Sequence, residues 1–119
     1  MNTVKAIATL PTNIVVARRE RDLRLHFLQQ IEGLGAPRRI TLERAEVAIG
    51  RMKEADIRIG SERASRRHAI LSRRQEDYVI RDNDSRNGVF LNGVKVNSAI
   101  LRDGDVLQVA DSVFIYYEG

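Results

Sequence analysis

A chain of 119 residues, 43% hydrophobic and 30% charged, suits one compact domain with a single core and a well-solvated surface. It has no cysteine, which excludes a disulfide framework and a thiolate metal site and fits a reducing compartment, read here as the cytoplasm. The net charge of +4 comes from 20 basic and 16 acidic residues; most of the bases are arginine, which suits bidentate phosphate contacts better than lysine does, and the excess is too small to mark a nucleic-acid face by itself.

Taken in order, residues 1–22 show no clean hydrophobic period. Lys5 and the apolar residues up to Ala17 invite a signal-peptide reading, but Thr9, Pro11, Thr12 and Asn13 break the apolar run. No run approaches the ~18 apolar residues of a membrane helix. Residues 1–22 therefore read as a mobile tail, with an extra strand at residues 14–16 as the alternative. Residues 23–31 are open on period alone. Leu23, Leu25 and Phe27 alternate like a strand, while Leu23, Phe27 and Ile31 also fall at helical spacing, with Gly33 placed to stop a helix.

From Gly33 onward the pattern is consistently β. Residues 33–37 form a loop, then Ile40 and Leu42 alternate, as do Val47 and Ile49, and Ile57 and Ile59. Residues 69–72 and 78–82 read as strands separated by a charged loop over 73–77. Residues 89–91 and 94–96 bracket Asn92-Gly93, a dipeptide suited to both positive-φ positions of a type I′ hairpin. Asp103-Gly104-Asp105 reads as a further turn, and residues 106–109 and 113–117 as the closing strands. Many short strands at regular spacing argue for one all-β sandwich domain over residues 23–119.

Three polar clusters interrupt these strands: Gly50-Arg51, Ser65-Arg66-Arg67-His68 and Ser85-Arg86-Asn87-Gly88. Arginine, serine and asparagine are hydrogen-bond donors, and arginine is permanently charged, so a site built from them holds an anion and does no proton chemistry. The only histidines are His26 and His68, and His68 reads as a residue that fixes its loop through hydrogen bonds rather than as a catalyst. No acid–base pair, metal cluster or cofactor motif is visible, so neither catalysis nor a cofactor is expected. Asp82-Asn83-Asp84 starts like a calcium loop but fails, because Arg86 holds a ligand position and Asn87 the glycine position.

In combination, Gly50-Arg51, Ser65-x-x-His68, Ser85-x-Asn87-Gly88, Asn92-Gly93 and Asp103-Gly104-Asp105 closely resemble the forkhead-associated (FHA) domain over about residues 23–118. The resemblance implies a first strand within residues 23–31, and a β-sandwich of about eleven strands that binds phosphothreonine peptides through loops at one end. It implies that Arg51 and Ser65 hold the phosphate, that Arg66 contacts the phosphate or nearby peptide, and that Asn87 holds the peptide backbone. Gly50, His68 and Gly88 would shape the loops. Arg86 stands where some members have a small hydroxyl residue, so it is expected to add charge at the phosphate. Arg63 stands where the peptide passes three residues beyond the phosphothreonine, and is expected to favour an acidic side chain there. Partners implied are a Thr-phosphorylated protein, a Ser/Thr kinase and the chain's own phosphorylated tail, through Thr3, Thr9 or Thr12. The competing readings are an arginine-rich nucleic-acid-binding β domain, disfavoured by the scarcity of aromatics, and a phospho-independent scaffold or oligomerisation module.

Overall fold

The computed structural model describes residues 25–119. The tail expected at residues 1–22, with its candidate strand and threonines, lies outside the described residues, as do Leu23 and Arg24.

Eleven strands and no helix occur among the described residues. They are β1 (His26–Glu32), β2 (Arg38–Leu42), β3 (Glu46–Gly50), β4 (Ile57–Arg58), β5 (Ala69–Arg74), β6 (Asp77–Asp82), β7 (Val89–Leu91), β8 (Val94–Val96), β9 (Ser98–Ile100), β10 (Val106–Val109) and β11 (Ser112–Glu118). They form two sheets, one ordered β9-β6-β5-β3-β4 and the other β2-β1-β11-β10-β7-β8. All pairings are antiparallel except β3 with β4, where Ile49 lies opposite Ile57. With no helix and two sheets, the fold is the all-β sandwich expected from the strand spacing.

The period-2 alternation explains the layers. Val47 and Ile49 of β3, Leu71 of β5, and Tyr78 and Ile80 of β6 point inward from the five-stranded sheet. Leu28, Val89, Leu107, Val109, Phe114 and Tyr116 meet them from the other sheet, all at most 4% exposed. Two polar groups enter this core with partners. His26 Nδ1 hydrogen-bonds the Tyr116 hydroxyl, and Gln30 donates to the carbonyls of Glu32 and Leu34 while accepting from Arg38 Nε. Burial thus settles the ambiguous N-terminal stretch as strand: Leu28 and Gln30 face inward, while Phe27, Gln29 and Ile31 alternate with them.

Two other details differ from the sequence reading. The charged segment 73–77 is no extended loop: β5 and β6 stay paired to Arg74 and Asp77, leaving the two-residue turn Gln75-Glu76, with Gln75 at φ 59°. Residues 98–100 form an edge strand on β6, which sequence reading passes over because Ser98-Ala99-Ile100 carries no convincing alternation. The Asn92-Gly93 hairpin does adopt positive φ at both residues, 51° and 83°. Asn92 also accepts from the Val106 amide and donates to Asp105, tying this hairpin to the turn before β10.

Four connections meet at one place: residues 51–56, residues 59–68, residues 83–88 and the Ala110-Asp111 turn. Backbone bonds from Arg51 to Ser65 and from Asn83 to His68 join the first three to one another, and the bond from His68 to Ile49 anchors them to β3.

Candidate functional site

The site begins where β3 ends. Gly50 is not among the positive-φ glycines, so it is close approach and not backbone conformation that requires glycine there. A Cβ there would lie 2.1 Å from the Arg66 carbonyl oxygen and 3.1 Å from the His68 nitrogen. Only glycine lets the 59–68 loop cross β3 this closely, and the crossing places Ser65 beside Arg51.

Arg51 is half-buried. Its amide donates to the Ser65 carbonyl at 3.0 Å and its Nε to the Ala64 carbonyl at 3.1 Å. Among the described residues the two terminal guanidinium nitrogens have no partner, so the anchored fork leaves a charged edge for a ligand. Ser65 Oγ accepts the Arg86 amide at 3.0 Å. No acceptor among the described residues takes its hydroxyl proton, which leaves it available to a ligand.

His68 is fully buried and locks this geometry. Its Nδ1 accepts the Ser65 amide at 3.0 Å, so the proton sits on Nε2, which donates to the Gly88 carbonyl at 2.8 Å. Gly88 has φ 83°, a value that favours glycine, and its amide donates to Ser85 Oγ. Asn87 donates to the Arg63 carbonyl at 2.7 Å, leaving its carbonyl oxygen and second amide proton on the exposed side.

The structure thus brings Arg51, Ser65, Arg86, Asn87 and the Arg63 backbone together through direct hydrogen bonds. Arg66 is set differently. It is exposed and lines a shallow groove with Arg44, Met52, Arg67 and Ile70, along the outer side of β3 and β5. The Arg63 side chain extends 3.8 Å from Asp111 and helps line a cleft with Asn87, Phe90 and Gln108. Arg51, Arg66, Arg67 and Arg86 have no acidic partner among the described residues, where the ion pairs are Arg44–Asp56, Arg63–Asp111 and Arg102–Asp77. These four arginines of the loop end are therefore not tied up in ion pairs with described residues. Among the described residues no cluster of His, Cys, Asp and Glu could hold a metal, and no helix is long and apolar enough to cross a membrane.

Sequence reading does not single out Ser61 and Asp111. Ser61 Oγ donates to Asp111 Oδ2 at 2.7 Å across 50 residues. Asp111 lies in a two-residue turn where aspartate is an ordinary choice, so nothing local signals the contact.

The two-sheet fold and this loop constellation define a forkhead-associated domain. A family model described as FHA domain matches residues 47–110, and the chain belongs to that family. The chain is similar to the ABC transporter ATP-binding/permease protein Rv1747 of Mycobacterium tuberculosis, at 41% identity over 85 residues, 70% of this chain and 10% of that protein. Among solved structures it is similar to Mycobacterium tuberculosis EmbR in complex with a low-affinity phosphopeptide, with TM-score 0.75 and 28% identity over 92% of this chain and 30% of that one. It is also similar to an FHA domain solved in an analysis of phosphothreonine-dependent FHA domain interactions, with TM-score 0.72 and 29% identity over 78% of this chain and 95% of that one. The chain spans less than two thirds of the length of Rv1747 and of EmbR.

Proposed function

We propose that this chain is a binding module, not an enzyme, that recognises Thr-phosphorylated protein segments in kinase signalling or regulated assembly. Family membership supports the class, and the EmbR structure with a phosphopeptide supports the ligand type. The observation that carries the reading is the pairing of the Arg51 fork with a Ser65 hydroxyl proton that no described residue accepts, on a loop locked from behind by His68.

A phosphomonoester brings a charge of about −1.5 to −2 and three acceptor oxygens. Each hydrogen bond to it contributes ~1.5–3 kcal/mol, so two or three of them, with peptide contacts and less the association cost, suit micromolar affinity near −8 kcal/mol. In this proposal Arg51 and Ser65 hold the phosphate, and Arg86, whose backbone touches Ser65, adds charge beside it. Arg66 contributes from the rim, while Asn87 and Arg63 meet the peptide and Gly50, His68 and Gly88 shape the loops. The ligand comes from the product of a Ser/Thr kinase in the cytoplasm, and the chain's own tail, phosphorylated at Thr3, Thr9 or Thr12, is one candidate. Titrating a phosphorylated tail peptide while following the amides around Ser65 by NMR tests that candidate, and unmoved resonances exclude it.

The test of the function is a phosphothreonine peptide library read at two salt concentrations. A single-phosphate site predicts selection of phosphothreonine with a shallow salt slope. A steep slope and indifference to peptide sequence would instead indicate many phosphate contacts, as in nucleic-acid binding.

A further inference from the structure

Resting on the reading of these loops as a phosphopeptide site, we infer that Asp111 is its positioning residue and the internal counter-ion of Arg63. Asp111 belongs to the scaffold rather than to a recognition loop. It sits in the two-residue turn between β10 and β11, where Val109 pairs with Ser112 and Ala110 takes φ 54°. The loop after β1 packs against this turn so closely that a Cβ on Gly33 would lie 2.6 Å from Ser112 Oγ and 3.0 Å from the Asp111 carbonyl. The carboxylate is therefore presented from a fixed platform.

Each oxygen of that carboxylate has its own task. Oδ2 accepts the Ser61 hydroxyl at 2.7 Å. Ser61 Oγ in turn accepts the Arg63 amide at 3.0 Å, and the Ser61 carbonyl accepts the Ala64 amide at 3.1 Å, closing the 61–64 turn. Two groups of the binding site hang from that turn. The Arg63 carbonyl takes the Asn87 side chain, and the Ala64 carbonyl takes Arg51 Nε. One carboxylate thus sets the backbone that aims both the phosphate-facing arginine and the peptide-facing asparagine.

The other oxygen, Oδ1, lies 3.8 Å from Arg63 Nε, with side chains 77% and 52% exposed. A pair this open is weak. It still gives Arg63 a neighbour of opposite charge, with which an acidic peptide side chain must compete. The cleft beside the phosphate loops is close to neutral as a result, and it discriminates little between acidic and basic peptide side chains. Free selection of acid by Arg63 is suppressed by this chain's own turn.

The test uses the full chain and phosphothreonine peptides in which each position after the phosphothreonine is in turn Asp, Ala or Lys. Asp111→Asn keeps a carbonyl oxygen for Ser61 and removes the charge. It is expected to bind the alanine peptides as the wild type does, and to gain roughly two- to fivefold on the best Asp peptide at low salt. That gain should vanish in Arg63→Ala/Asp111→Asn. Asp111→Ala and Ser61→Ala should each weaken every phosphopeptide, by roughly five- to thirtyfold, and the double variant should be no weaker than either, since both remove one link.

Wild-type affinity in Asp111→Ala overturns the positioning role, as does additivity of the two alanine variants. Unchanged selectivity in Asp111→Asn overturns the counter-ion role. If the wild type binds no phosphorylated peptide, it is the phosphopeptide reading that fails. The positioning role is then decided by hydrogen exchange of the Arg63 and Ala64 amides, which must speed up in Asp111→Ala and not in Asp111→Asn.

Discussion

His68 reaches across 20 residues of sequence to hold Gly88: its Nε2 donates to the Gly88 carbonyl at 2.8 Å while its Nδ1 accepts the Ser65 amide. One fully buried ring therefore joins the loop that carries Ser65 to the loop that carries Arg86 and Asn87. His68→Ala leaves two backbone groups without partners and opens a cavity. Each orphaned buried group costs ~1–3 kcal/mol, so a loss of about 2–6 kcal/mol is expected in urea unfolding. A loss below about 1 kcal/mol would show that the ring is not the link described.

The two glycines of the loop cluster are required for different reasons, and substitution separates them. At Gly88 the constraint is φ 83°, and the nearest obstacle is the flexible Lys95 side chain. Gly88→Ala should cost ~1–2 kcal/mol, and Gly88→Asn less, because asparagine tolerates this region better. At Gly50 the obstacle is the Arg66 backbone itself, so asparagine brings no relief over alanine. Thermal unfolding of the four variants checks this. Equal behaviour of the Ala and Asn variants at Gly88 would contradict the φ argument.

Much of this was legible in sequence because turn chemistry is local. Asn92-Gly93 announces its own hairpin, and the alternation of Val47, Ile49, Leu71 and Ile80 announces which face is buried. The stretch 23–31 was not legible from period alone, because its residues satisfy both periods; only the family resemblance pointed to a strand, which the inward-facing His26, Leu28 and Gln30 bear out. The reason for Gly50 was hidden too: the Arg66 carbonyl that forbids a side chain there is brought by the fold, 16 residues later in sequence. Asp111 lay furthest from view, since its partner Ser61 belongs to a different sheet connection. Local chemistry names the loop residues, and tertiary contacts assign what each one touches.

Alkaline pH should expose the buried phenols. Burial raises the Tyr116 pKa well above its usual value, reinforced by nearby Glu118, and burial also raises that of Tyr78 against the opposing pull of Arg73. The fold favours the neutral phenols, whereas the unfolded chain ionises them near pH 10. Their contribution is therefore complete below about pH 10 and is lost as pH rises beyond it. Urea unfolding of Tyr116→Phe should show a shallower decline of stability between pH 10 and 11 than the wild type does. It should also be less stable at neutral pH, having lost the hydroxyl bonded to His26. Parallel declines for the two proteins would rule this out.

The central claim is that Arg51 and Ser65 recognise a single phosphate on threonine, and isothermal calorimetry tests it most directly. The titrant is a library-selected phosphothreonine peptide, against its unphosphorylated form, with wild type and Arg51→Ala compared. Removing the charged fork should cost ~2–4 kcal/mol, a loss of roughly 30- to 1000-fold, in a variant whose circular dichroism and unfolding remain cooperative. The unphosphorylated peptide should give no heat above dilution with either protein. Undiminished binding by folded Arg51→Ala, or equal affinity of the wild type for both peptides, would contradict the account.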